Sequence, residues 1–446
     1  MDERILRELE KSNPWWYGKT EPVPEFKRDL YEKMIKYLEP HQILAIVGLR
    51  RIGKTVLIKQ CVRFLLSSND PKNIMFFTFE ERWGSAEHLE DLLYYFLENL
   101  KTSGRRYVFL DEIQKAQGWE DVLKRFYDRH PDLKLIICGS ASLKISRGIE
   151  SLAGRIFDMV LPPLKFREFL ALNGVLIGDM DTRSGLEAYT AVYNANLHQK
   201  ERIHRLFDEY IYRGGFPELA LETDGSLIRS YINNSVLERI ITKDIPEEFK
   251  VRSLSGLKAV VEYCAHETSS LLVYENLGSV VGLDQETVKD YVEYASRAFV
   301  LRLLYNYTGS VAKSQRGSKK VHIVHPSISI ALESYGAEVL TNSSVMGKYV
   351  ESMVASYLAY ENEDVRFWRS PQKDEVDVVI GGRDIQPIEV KYRSEVPSSE
   401  LRPLLKFMRA YDLKRATAVT KDILDLRLVN GQEIVLVPAW VFMLFV

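Results

Sequence analysis

Short apolar runs alternate with amphipathic stretches over the first third of the chain. Residues 43–47, 73–79, 106–110 and 133–138 are rich in Val, Ile, Leu, Phe and Met and are bounded by polar or glycine-containing segments. Runs of that length and bounding predict buried strands. Residues 26–38, 56–66, 88–100 and 119–129 carry apolar positions at helical spacing and predict helices. Strands alternating with helices build parallel βαβ units, whose ligands sit at the carboxyl ends of the strands.

The pattern changes downstream. Residues 173–200 have weak, mixed periodicity and read as an inserted loop or irregular helix. Residues 201–212 are amphipathic, the turn Arg213-Gly214-Gly215-Phe216-Pro217-Glu218 breaks them, and helices continue through residue 240. Helices are predicted over 255–267, 274–281 and 286–299, followed by a hairpin-like pair at 300–307 and 319–324. Three helices with such a pair suggest a winged helix. A helix over 348–360 and strands over 365–368, 375–380 and 387–391 form the last part. The apolar run 434–446 is short and interrupted by Pro438, which suits a buried terminal strand or docking segment, because a bilayer needs about 20 residues. The fold class expected is α/β. It begins with a parallel sheet flanked by helices (26–172, after an arm at 1–25), continues with a helical subdomain (173–250) and a winged helix (251–325), and ends in a second α/β domain (326–446).

With 446 residues and 46% apolar content, the chain has material for several cores. Lys and Arg number 60 against 62 acidic residues. This balance argues against a general nucleic-acid coat and leaves room for a local basic patch. Three scattered cysteines form no metal spacing and suit a reducing compartment. The charged residues 1–10 do not resemble a leader, so a cytoplasmic protein away from membranes is expected. In the arm, Trp15 and Trp16 are expected to pack on the next domain, with base stacking as the competing role.

The densest chemistry follows the first strand. Gly48-Leu49-Arg50-Arg51-Ile52-Gly53-Lys54-Thr55 fits the phosphate-loop pattern, and Val56 opens the helix behind it. The glycines let backbone N–H groups face a polyphosphate, and the helix N-terminus adds its dipole. Lys54 then reaches the β/γ-phosphates of ATP, and Thr55 ligates Mg²⁺. The third strand closes on Asp111-Glu112, which assigns Asp111 to the Mg²⁺ and Glu112 to the attacking water. Ser140, after the fourth strand, is the candidate γ-phosphate sensor, with simple helix capping as its alternative. Arg155 is the candidate for transition-state charge, in its own chain's site or a neighbouring chain's, with Arg147, Arg50 and Arg51 competing.

The last part holds a second constellation. Asp377 on one strand, and Glu389 and Lys391 on the next, repeat the metal-and-water arrangement of restriction-type nucleases, with Glu351 from the preceding helix as a third carboxylate. These residues would hold a second Mg²⁺ or Mn²⁺. A half-solvated hairpin with charged faces is the plainer reading. The expected recognition helix carries Asp284, Glu286, Asp290 and Glu293 against Lys289, so major-groove reading is disfavoured. The wing loop, with Lys313, Arg316, Lys319 and Lys320, is the remaining candidate for a DNA or RNA backbone, and a protein contact is the alternative.

Taken together, the segments 48–55, Phe109-Leu-Asp-Glu-Ile-Gln114, Gly139-Ser-Ala-Ser142, Leu152-Ala-Gly-Arg155 and 214–218 resemble the prokaryotic, especially archaeal, AAA-type ATPases. The resemblance spans about residues 20–430. It implies ATP binding and slow hydrolysis through Lys54, Thr55, Asp111 and Glu112. It also implies a winged helix and a C-terminal domain similar to the restriction-endonuclease fold. Three functions follow as expectations: a nucleotide-driven switch, favoured because the ATP motifs are complete, an ATP-dependent nuclease, and a nucleic-acid loader without cleavage.

Overall fold

The computed structural model describes residues 3–79, 84–100, 103–139, 152–178, 185–308, 317–333 and 336–446. The chain divides into two compact units, Met1–Leu161 and Pro162–Val446. The break therefore falls before residue 172, the end expected for the first α/β domain. The segment Phe166–Leu172 is a helix of the second unit.

In the first unit, the apolar run Ile43–Val47 is β1 and is buried at every position. It lies inside a sheet with β2 (Ile74–Thr78), β3 (Arg106–Asp111), β4 (Leu133–Cys138) and β5 (Ile156–Val160), in the order β2-β3-β4-β1-β5. All pairings are parallel. Strands covered on both faces are near-continuous apolar runs, which is why β1 lacks alternation; β4 departs from this at one residue, Lys134, whose buried ammonium donates to the Pro40 and Gln42 carbonyls. The helices are α1 (Glu3–Ser12), α2 (Leu30–Lys36), α3 (Lys54–Leu66), α4 (Ala86–Asn99) and α5 (Trp119–Arg129).

The arm is part of this unit. Helix α1 packs on β2, the edge strand, and Asn13 pairs with its free backbone. The Trp15 and Trp16 indoles both donate to the Ile74 carbonyl, at 3.0 and 2.8 Å. Trp16 also stacks on Phe96. These groups cover an edge that would otherwise template another strand. That corrects the base-stacking alternative, since Trp15 is buried. The helix expected over 26–38 forms only at Leu30–Lys36. The preceding backbone is held by Gln60, whose amide donates to Pro24 and Phe26 carbonyls at 2.7 and 2.8 Å.

The second unit opens with α6 (Phe166–Leu172), α7 (Leu186–Ala195) and α8 (Lys200–Arg213), then a helical run from Gly225 to Glu248. Helix α9 (Leu254–His266), strand β6 (Ser270–Leu272), α10 (Tyr274–Val281), α11 (Gln285–Arg297), β7 (Leu301–Tyr305) and β8 (Lys319–Ile323) come next. The hairpin expected from sequence becomes an antiparallel sheet of order β6-β8-β7. Helices α12 (Pro326–Leu332) and α13 (Ser343–Glu361) lead to a six-stranded sheet. Its strands are β9 (Val365–Arg369), β10 (Glu375–Ile380), β11 (Gln386–Lys391), β12 (Arg415–Thr420), β13 (Asp425–Val429) and β14 (Gln432–Pro438). The order is β13-β14-β12-β11-β10-β9, and α14 (Arg402–Ala410) makes the crossover between the parallel neighbours β11 and β12. Leu404, Phe407 and Met408 of α14 pack with Val376, Val379 and Leu436 in one apolar cluster. The terminal apolar run forms β14 and a short buried helix, Ala439–Phe442. Among the described residues, no helix is long and apolar enough to cross a membrane.

Candidate nucleotide site and the C-terminal acid cluster

The loop after β1 is shaped by close approach. At Gly48, φ is 147°, and an added Cβ would lie 2.4 Å from the Leu161 carbonyl oxygen and 2.8 Å from Ile52 Cδ1. Only glycine fits there. Arg51 and Gly53 also take positive φ, at 67° and 94°. This curls the loop so that Lys54 begins α3. Leu49 and Ile52 are fully buried and pin the loop to the core, leaving its backbone to face a ligand. Arg28 adds a bond to the Ile52 carbonyl at 2.7 Å. The buried Lys54 ammonium donates to the Gly48 and Leu49 carbonyls at 2.9 and 2.7 Å. Burial pulls its pKa below the ordinary lysine value.

β3 lies one strand beyond β4, so its carboxyl end brings Asp111 to the start of α3. The Thr55 hydroxyl donates to Asp111 Oδ2 at 2.8 Å. Asp111 Oδ1 accepts from the Glu112 N–H at 3.0 Å and from the Cys138 thiol at 2.8 Å. Burial raises the Asp111 pKa against these bonds, and it pushes the Cys138 thiol well above its usual value. Glu112 stands at φ 52°, and the Gln114 amide donates to its Oε2 at 2.5 Å. Hydroxyl and carboxylate oxygens side by side suit a hard cation such as Mg²⁺.

Three contributors were not legible as site residues: Arg28, Gln114 and Cys138. Gln114 follows Glu112 by two positions, and Cys138 ends the strand beside β3, so register alone would have nominated both. Ser140, the proposed sensor, and Arg147 lie outside the described residues.

Arg155 requires a correction as a group acting on its own chain's site. It directly precedes β5, and its carbonyl accepts from the Ile43 N–H where β1 starts, at the amino end of the sheet. The phosphate loop leaves the opposite end, a strand length of roughly 15 Å away at about 3.3 Å per residue. The Arg155 guanidinium instead forms a two-pronged pair with Asp128, at 2.9 and 3.2 Å.

In the second unit, Glu351 of α13, Asp377 of β10, and Glu389 and Lys391 of β11 do converge, and a fifth residue stands among them. Lys320 of β8, only 2% exposed, directs its ammonium to Glu351 at 2.6 Å, Glu375 at 2.7 Å and Asp377 at 3.4 Å. Lys391 pairs with Glu389 Oε1, and Arg369 pairs with Glu375 at 2.6 Å. Asp377 Oδ2 accepts from the Val390 N–H at 2.8 Å. Burial raises both Glu351 and Glu389 to about 8. Among the described residues, no group of His, Cys, Asp and Glu is arranged to hold a metal ion. The expectation that Lys320 faces a phosphate backbone is therefore corrected. Lys319 lies over the Tyr274 and Tyr305 rings, while Lys313 and Arg316 lie outside the described residues.

Residues 40–170 match the family described as an AAA domain. Residues 204–339 and 346–440 match two families described as domains of unknown function, DUF8612 and DUF4143. An uncharacterized protein of Methanocaldococcus jannaschii is 28% identical over 348 residues, spanning 74% of this chain and 70% of its own. A second from the same organism is 25% identical over 413 residues, spanning 90% and 82%. Among solved structures, the Orc1 protein of Aeropyrum pernix, solved in complex with DNA, covers 73% of this chain and 95% of its own at 13% identity, with a TM-score of 0.30. With the phosphate loop, the Thr55–Asp111 contact and the parallel strand order already in place, residues 40–170 carry a P-loop domain similar to the AAA domains.

Proposed function

We propose that the chain binds ATP with Mg²⁺ on residues 48–56, hydrolyses it slowly, and uses the bound nucleotide as a switch. The observation that carries this reading is the 2.8 Å contact between Thr55 Oγ1 and Asp111 Oδ2, which brings two oxygen donors together at the mouth of the loop. Mg²⁺, when bound there, neutralises charge on the β- and γ-phosphate oxygens. The protein supplies the rest. The N–H groups of 49–55 cradle the phosphates, and the α3 dipole favours their charge. Lys54 exchanges two carbonyl partners for phosphate oxygens, so ATP binding rewrites the hydrogen bonding of the loop. Glu112, steadied by Gln114, accepts a proton from the attacking water.

Protease protection tests the switch. The wild-type chain is expected to gain resistance to limited proteolysis with ATP and Mg²⁺, and Lys54→Ala is expected to lose that gain together with nucleotide affinity. Protection that persists unchanged in Lys54→Ala would overturn the reading. The second unit then acts as a binding or regulatory module, since the nuclease reading needs a metal centre that Lys320 obstructs.

A further inference from the structure

We infer that Lys320 is the resident cation of the C-terminal acid cluster, and that the cluster accepts a divalent metal only when that ammonium is removed. An ammonium carries three N–H donors, and Lys320 has three carboxylates within reach: Glu351, Glu375 and Asp377. The donor set is thus spent on the lysine. A divalent cation of the Mg²⁺ class needs near-octahedral oxygen at about 2.0–2.1 Å and would have to share these oxygens with a positive charge.

Charge balance points the same way. Even with Glu351, Glu375, Asp377 and Glu389 all ionised, Lys320, Lys391 and Arg369 oppose them and leave one net negative charge. A divalent ion would overshoot that in a buried site. Without Lys320 the surplus is two, which a divalent ion matches. The residues of the cluster therefore do not fit the metal that the Asp…Glu-x-Lys pattern suggests.

The plug is also built in. β8 is the central strand of its sheet, paired with β6 on one side and β7 on the other, so the Lys320 backbone cannot shift alone. One atom of the cluster remains without a partner among the described residues: Glu389 Oε2, on a side chain 3% exposed. It is the oxygen left over once the lysines have taken theirs, and it would be available to a metal if Lys320 were gone. The cluster so read is an ionic joint tying β8 to α13 and β10.

Manganese titration of the full-length, nucleotide-free protein by calorimetry tests this. Wild type is expected to show no Mn²⁺ binding that depends on Asp377. Lys320→Met is expected to bind one Mn²⁺ at least about 100-fold tighter, as follows from removing a unit charge a few ångströms away at an effective dielectric of about 20. That binding should vanish in Lys320→Met combined with Asp377→Asn. Wild-type binding as tight as that of Lys320→Met, and lost in Asp377→Asn alone, would overturn the inference. If Lys320→Met folds only when Mn²⁺ is added, as read by far-UV circular dichroism, the inference is supported. If it does not fold at all, wild type against Asp377→Asn decides: Asp377-dependent manganese binding overturns the inference, and its absence upholds it.

Discussion

Asn13 pairs with Phe76 as a neighbouring strand would. Its side-chain carbonyl accepts from the Phe76 N–H at 2.7 Å, and its amide donates to the Phe76 carbonyl at 2.8 Å and to Leu9 at 2.7 Å. Asn13 is fully buried, so removing its amide strands backbone groups on an edge strand. Asn13→Ala should cost about 1–3 kcal/mol, the usual penalty for buried unpaired polar groups, measured by urea unfolding. It should also raise the tendency to associate, because the β2 edge is uncovered. A change below about 0.5 kcal/mol, the size of ordinary surface substitutions, would show that the arm does not protect this edge.

The Gln114–Glu112 contact separates binding from chemistry. Glu112→Gln keeps the shape and removes the base, so nucleotide affinity should hold while turnover falls by about 10²-fold or more. Gln114→Ala removes only the group that steadies Glu112. Its turnover should fall by less, with the Kd for ATP unchanged. Steady-state turnover paired with calorimetric ATP binding checks both. Loss of affinity in Gln114→Ala would move that residue from positioning the water to holding the nucleotide.

The phosphate loop was legible because its glycines, lysine and threonine must occur at fixed spacing for the backbone to curl, and Gly48 shows why by its approach to Leu161. The strands were legible where both faces are buried, as in β1 and β4. β5 and β6 were not. β5 is half exposed, so its Ile-Phe-Asp-Met-Val carries no clear period, and β6 is only three residues long. Whether Arg155 serves its own chain's site was not legible for a physical reason: a Gly-Arg pair does not reveal which end of a strand it occupies. Lys320 was misread because a lysine beside a hairpin is usually solvated. Its partners on α13 and β10 come together only through tertiary packing.

Arg155 gives the third test. The guanidinium is committed to Asp128, at the end of the sheet away from the loop. Arg155→Ala should leave ATP turnover unchanged in dilute, unassembled protein, and the exposed ion pair should barely move the unfolding midpoint. Turnover at low protein concentration, below any association, is the measurement. A collapse under those conditions would mean that the side chain leaves Asp128 to serve its own chain's site.

Two buried histidines, His322 and His325, couple the second unit to acid, and His325 can be tested by itself. The ring is fully buried, and Nδ1 accepts from the Ser327 N–H at 3.2 Å, which caps α12. Gly215 leaves room for it, since a Cβ there would fall 2.8 Å from the ring. A proton on Nδ1 would end the cap and place a charge among the Tyr210 and Tyr357 rings. Burial accordingly lowers the pKa to about 3 from the ordinary 6.5. Because the folded value lies below the unfolded one, the contribution is complete above pH 6.5. It is lost as pH falls from there toward 3, up to about 5 kcal/mol at about 1.4 kcal/mol per unit. Asn caps helices without titrating, so His325→Asn should flatten the wild-type loss of stability across that window. Urea midpoints from pH 7 to pH 4 measure the difference, and parallel slopes for the two proteins would remove His325 as the source.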